Sequence, residues 1–244
     1  MKRMMAVLIC TMLLCMPLSA QASGLKDLLG FLFPDRHSEQ VEDSVQAMSP
    51  EAAVRALQDA GLNVELDWTL SLMDDPAAPC TVMDVLIVLG LGRYDDNAYE
   101  WTPVSHAVYA FDGEVFDLGN MYTDFLRGIQ MIVPDVEITE VREDLSGMTE
   151  DMDFSTGIPS NGRRAFSFRC NGTPYALELD SYGDWFNAEA ISFMEEVLQK
   201  ENCPGRLAVL NAMDIQGVVL FYADEETIAN VMDLLGVQEG EAIF

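Results

Sequence analysis

Residues 80–90, CTVMDVLIVLG, and residues 105–120, SHAVYAFDGEVFDLGN, decide how this chain is read. The first is a cysteine at the head of an apolar run long enough for a buried helix. The second holds Asp112-Gly113 between two β-prone runs, the strongest short-range signal for a two-residue hairpin turn. That turn sets Phe111 opposite Glu114, Val108 opposite Asp117 and His106 opposite Gly119. Opposed residues share a face and successive ones alternate, so His106, Val108, Ala110, Val115 and Asp117 project together. His106 and Asp117 then become diagonal neighbours at roughly 7–8 Å, close enough for a carboxylate to orient an imidazole.

Pro76 and Pro79 break the chain before Cys80 and set the thiol in the first turn of the helix. A helix N-terminus favours thiolate, and a nearby imidazolium lowers a thiol pKa further. Cys80 as nucleophile, His106 as general base and then acid, and Asp117 as orienter would form a cysteine triad. The competing reading has Cys80 as a small buried hydrophobe and His106 as a structural residue at a strand start. Trp68, Tyr94 and Trp101 are candidates for the walls of a substrate cleft, or else core aromatics.

The cysteine at a helix start, the LGLGRY exit at Leu89 to Tyr94 and HAVYAFDGEVFDL resemble the core of transglutaminase-like cysteine proteins, including the bacterial transglutaminase-like cysteine peptidases. The resemblance covers about residues 80–120. It implies a papain/transglutaminase-like core in which the Cys-bearing helix packs on an antiparallel sheet. It also implies Cys80, His106 and Asp117 as the triad, and cleavage or acyl transfer at peptide or amide bonds. A non-catalytic binding or adhesion module on the same scaffold is the alternative.

Outward from this stretch, residues 1–22 read as a secretory signal: Lys2 and Arg3, an apolar run from Ala6 to Leu18, and Ala20-Gln21-Ala22 as a small-x-small cleavage site. The expected location is secreted or periplasmic, with no membrane insertion of the mature chain. Cleavage removes Cys10 and Cys15 and leaves Cys80, Cys170 and Cys203. Cys170 and Cys203 lie in one region and are a possible disulfide, which would leave Cys80 free; a structural bridge to Cys80 is the alternative. The formal charge is −28. A chain this acidic has no basic face for nucleic acid, and the charge attracts basic peptides or cations instead. The expected partner is a peptide or protein, as substrate or at the surface, and no cofactor or metal motif is present.

Residues 23–48 form an N-terminal segment and linker that contains His37. A core follows over 49–145. Ser49 caps a helix with Pro50 at its first position and Gly61 as terminator. Leu62 to Trp68 alternates apolar and polar residues and reads as a half-buried strand. After the hairpin, Met121 to Arg127 reads as a short helix and Val136 to Val141 as a strand. Residues 143–162, rich in Asp, Glu, Ser and Gly, mark a boundary; Asp151, Asp153 and Ser155 within it superficially follow a calcium loop but read better as solvated.

The segment 160–244 reads as one pattern used twice. Ala165 to Cys170, an Asn171-Gly172 turn and Tyr175 to Leu179 make a hairpin, followed by a helix capped at Asn187. Leu207 to Leu210, a turn at Gln216-Gly217 and Val218 to Tyr222 make another, followed by a helix capped by Asp224 and ended by Gly236. A ββαββα order implies an α+β lobe, an antiparallel sheet with helices on one face. The expected fold class is therefore α+β throughout.

Overall fold

The computed structural model describes residues 47–95, 100–115, 119–148, 161–212 and 216–237. The leader, His37, Asp117, Asp151, Asp153 and Ser155 lie outside these residues, as do the side chains of Tyr94 and Trp101. The described chain mixes six helices with antiparallel sheets.

Helix α1 (Pro50–Asp59) starts as its sequence dictates, with Ser49 accepting from the Ala52 N–H and Pro50 filling a position that needs no donor. Its buried face is Ala53, Val54 and Leu57. The next segment departs from the expected strand. Leu62 and Val64 are buried and Glu65 is extended, but Leu66–Leu72 is then a helix, α2. Alternation over so few residues fits either element. Among the described residues no strand pairs with this segment, and the Gln58 side-chain amide donates to the Val64 carbonyl. Helix α3 (Val82–Leu91) is apolar nearly all round and buries Val85, Leu86, Ile87 and Leu89. A short ribbon follows, β1 (Arg93–Asp95) against β2 (Glu100–Thr102).

Strand β3 (Val108–Asp112) is the point where the sequence expectation and the fold part most. The turn at Asp112-Gly113 does not return the chain along β3. Glu114 bridges Trp185, and the Val115 N–H donates to the Asp184 carbonyl. Strand β3 pairs instead with β8 (Gly217–Ala223), with Val108 opposite Phe221 and Ala110 opposite Val219. Strand β8 also pairs with β7 (Arg206–Ala212), so it is central in the order β3-β8-β7. The second sheet has the order β4-β5-β6, from Ile138–Asp144, Asn161–Cys170 and Thr173–Tyr182. The β5–β6 hairpin turns at Asn171-Gly172, both at positive φ (49° and 84°), as a tight primed turn requires.

Helix α4 (Met121–Ile132) runs five residues beyond the expected end, and α5 (Glu189–Lys200) and α6 (Glu225–Leu235) complete the set. Asn187, just before α5, accepts from the Glu189 N–H and donates to the Asp180 carbonyl, while Asp224 caps α6 and Gly236 ends it in the left-handed region. The β3-β8-β7 sheet is covered on both faces. Val108, Ala110, Val219, Phe221 and Leu210 share one core with α1, α3 and α6. Tyr109, Val218, Leu220 and Leu207 share the other with α4, α5 and the inner face of β5 and β6. Strands from either side of the 143–162 segment thus pair in both sheets, with β3 and β4 each at an edge.

Candidate functional site: the Cys80 corner and the cavity at His106

Cys80 precedes α3 rather than opening its first turn. Thr81 is the N-cap, and a capping box closes over it: Thr81 Oγ1 accepts from the Asp84 N–H at 3.1 Å, and the Asp84 carboxylate accepts from the Thr81 N–H at 2.7 Å. The favourable end of the helix dipole is therefore occupied by a carboxylate, where a thiolate would need it. The Cys80 backbone is held to Met48 by two hydrogen bonds of 2.9 Å, and the residue is 8 % exposed within the core. Burial pushes the Cys80 thiol up from its ordinary pKa, and the Asp84 charge pushes the same way. A neutral thiol at neutral pH follows. The signal for this was in the sequence: Thr81-x-x-Asp84 before an apolar run is a capping box, and it starts the helix one residue past the cysteine's neighbour.

His106 lies at the far end of the same helix. It is exposed, two residues before β3, with Nδ1 3.4 Å from the Met131 carbonyl oxygen. With Asn63, Val64, Glu65, Trp68, Leu89, Val104 and Ser105 it lines a cavity of about 390 Å³. Leu89 is seven residues along α3 from Val82, about 10 Å at the helical rise of roughly 1.5 Å per residue. Cys80 is not among the residues around the cavity. Of the residues singled out from sequence, Trp68 and His106 are brought to one place and Cys80 to another.

Arg93 stands over the Trp68 ring, its guanidinium carbon 4.8 Å from the centroid. Ser105 is buried and its Oγ accepts from the Ala107 and Val108 N–H groups, which fixes the bend that carries His106 into β3. Cys170 and Cys203 are both free thiols. Burial pushes Cys170 up to about 11, and Glu201 and Cys203 add to the shift, so the two cysteines are neighbours.

One surface feature had no sequence signal. Tyr182 and Trp185 are 58 % and 45 % exposed, on a turn between β6 and α5 where the Trp185 N–H donates to the Tyr182 carbonyl. Asp112, Glu114 and Asp184 lie on or beside that turn, and among the described residues none of the three forms an ion pair. Elsewhere the cations are largely neutralised: Arg55, Arg127, Arg163, Arg169 and Lys200 each face a carboxylate.

Among the described residues the fold is a mixed α and β one with two three-stranded antiparallel sheets, and a cavity lies beside His106. No family model matches the chain, and neither a curated protein nor a solved structure does. Among the described residues no cluster of His, Cys, Asp and Glu is arranged to hold a metal ion, and no helix is long and apolar enough to cross a membrane.

Proposed function

We propose that this chain is an exported, non-catalytic binding module. What carries the reading is the setting of Cys80. The thiol is buried, its pKa is raised, the helix N-terminus beside it is taken by Asp84, and the candidate base lines a cavity near the other end of α3. An activated cysteine needs the reverse on every count: exposure, a lowered pKa and an imidazole within hydrogen-bond reach. The net charge of −28 favours a cationic peptide or protein as partner over nucleic acid. The exposed Tyr182 and Trp185 beside unpaired carboxylates suit such a partner.

The cysteine hydrolase or acyltransferase reading rests on the transglutaminase-like pattern of residues 80–120, and it makes the opposite prediction for one measurement. The intact mature protein is treated with iodoacetamide near neutral pH, and the Cys80 peptide is followed by mass spectrometry. The binding module should alkylate slowly at Cys80 until it is unfolded, at a rate that His106→Ala leaves unchanged. Fast labelling that slows in His106→Ala would establish the ion pair and return the catalytic reading.

A further inference from the structure

We propose that the cavity between Trp68 and His106 is a carbohydrate subsite that holds one neutral sugar ring, an inference that rests on the binding-module reading. Its volume of about 390 Å³ falls within the roughly 300–1,000 Å³ of small-molecule sites. The lining divides by chemistry. Val64, Leu89, Val104 and the half-buried Trp68 indole are apolar, and Asn63, Glu65, Ser105 and His106 are polar.

The polar groups supply both donors and acceptors. The Asn63 amide does each. The Glu65 carboxylate only accepts, and it is not consumed as a cap although Glu65 is the N-cap residue of α2. Ser105 Oγ already accepts from two N–H groups, which leaves its own proton to donate. His106 is engaged through Nδ1 and retains Nε2. A hydroxyl is the one common ligand group that donates and accepts at the same atom. A ring of adjacent hydroxyls meets a mixed set of this kind where a pure acceptor or pure donor cannot.

Glu65 in the lining and Arg93 beside Trp68 carry opposite charges, so the site offers little net charge with which to select an ion of either sign. Arg93 covers one face of the Trp68 ring, and the part of the indole that lines the cavity supplies an apolar surface for the C–H groups of a sugar ring. An apolar ligand would strand the polar half of the lining, which costs more than it returns.

The test is calorimetric and NMR titration of the mature protein with neutral hexoses, pentoses and uncharged oligosaccharides, beside a matched panel of amines, amino acids and carboxylates. At least one neutral sugar should bind saturably at millimolar concentration. Glu65→Gln, at an exposed position, and Trp68→Ala should each weaken it by about tenfold or more, the range in which one well-made contact is felt. Trp185→Ala, at an aromatic that does not line the cavity, should leave it unchanged. Trp68→Phe keeps an aromatic face and should retain part of the affinity, so a folding failure in Trp68→Ala would not hide the answer. Silence across the neutral panel, or sugar binding indifferent to Glu65→Gln and Trp68→Phe, overturns the proposal. If a charged compound binds through Trp68 while sugars do not, the carbohydrate class fails and the binding module stands. His106-dependent alkylation of Cys80 would remove the binding module itself.

Discussion

Glu143 and Arg164 form an ion pair at 2.7 Å with side chains 4 % and 1 % exposed. Two charges out of water are stable together only if their remaining hydrogen-bonding capacity is met. The second Glu143 oxygen accepts from the Tyr122 and Thr123 N–H groups and from the Thr123 hydroxyl, at the positive end of α4. Arg164 lies over the Tyr122 ring, 4.9 Å from its centroid, and donates to Glu143. Glu143→Gln keeps the amide-accepting oxygen and removes the negative charge 2.7 Å from a buried guanidinium, so it should cost about 3–5 kcal/mol. Arg164→Met leaves a carboxylate that still has three donors and a helix dipole, and it should cost less. Urea unfolding of both variants gives the order; equal losses would mean that the helix N-terminus contributes nothing to holding the carboxylate. No sequence pattern pointed to this pair, because its members lie on strands β4 and β5 at positions that read as ordinary solvated charges. Cys80 is the contrasting case: its helix-end position was legible, and so was the Asp84 cap of the helix beside it.

At the scale of elements, close approach decides where the helices sit. Gly128 on α4 has no Cβ because the Tyr109 ring from β3 occupies that space. Gly90 on α3 is likewise against β3, where an added Cβ would stand 2.6 Å from the Ala110 Cβ. Alanine is the better helix former by about 1 kcal/mol, so an isolated α4 would gain from Gly128→Ala. In the folded protein the added methyl must displace a tyrosine that is 5 % exposed and packed on Phe111, and overpacking of this kind typically costs about 1–3 kcal/mol. Gly128→Ala should therefore lower the unfolding midpoint despite its helix propensity. A stabilised variant would show that Tyr109 can move, and that α4 does not register on β3 through this contact. Element identity was readable wherever it is written locally: Ser49-Pro50, Asn171-Gly172, Asp224 and Gly236 each make their hydrogen bond or turn within a few residues. Leu62 to Trp68 misled for the same reason in reverse, since a short alternation becomes a strand only when a partner strand arrives.

For the molecule as a whole, buried neutral groups set the alkaline limit. Burial pushes Cys170 up to about 11 and Tyr122 up to about 12, and burial together with the Glu201 carboxylate pushes Tyr175 to about 12. Tyr109, also buried, moves in the same direction. Each group holds its proton more tightly folded than unfolded, where thiols and phenols ionise near roughly 8.5 and 10. The stability they contribute is complete below those unfolded values and is lost as pH rises through the folded ones. The melting temperature should be level to about pH 8.5 and fall between there and pH 12, with part of the tyrosinate absorbance appearing only as the protein unfolds. A flat profile to pH 12, or formation of all the tyrosinate ahead of unfolding, would contradict the buried placement of Tyr109 and Tyr122. By itself the amino-acid sequence determined the acidity that disfavours nucleic acid, most of the helices, the turns and their caps, and the β5–β6 and β7–β8 hairpins, because all of these depend on composition or on contacts a few residues apart. Tertiary structure alone decided that β3 pairs with β8 across more than a hundred residues, that the two hairpins belong to different sheets, and that His106 shares a cavity with Trp68 while Cys80 is walled into a core. Those outcomes turn on which apolar faces match when several strands compete for the same partner, and the energies that choose among them exist only once distant segments are packed together.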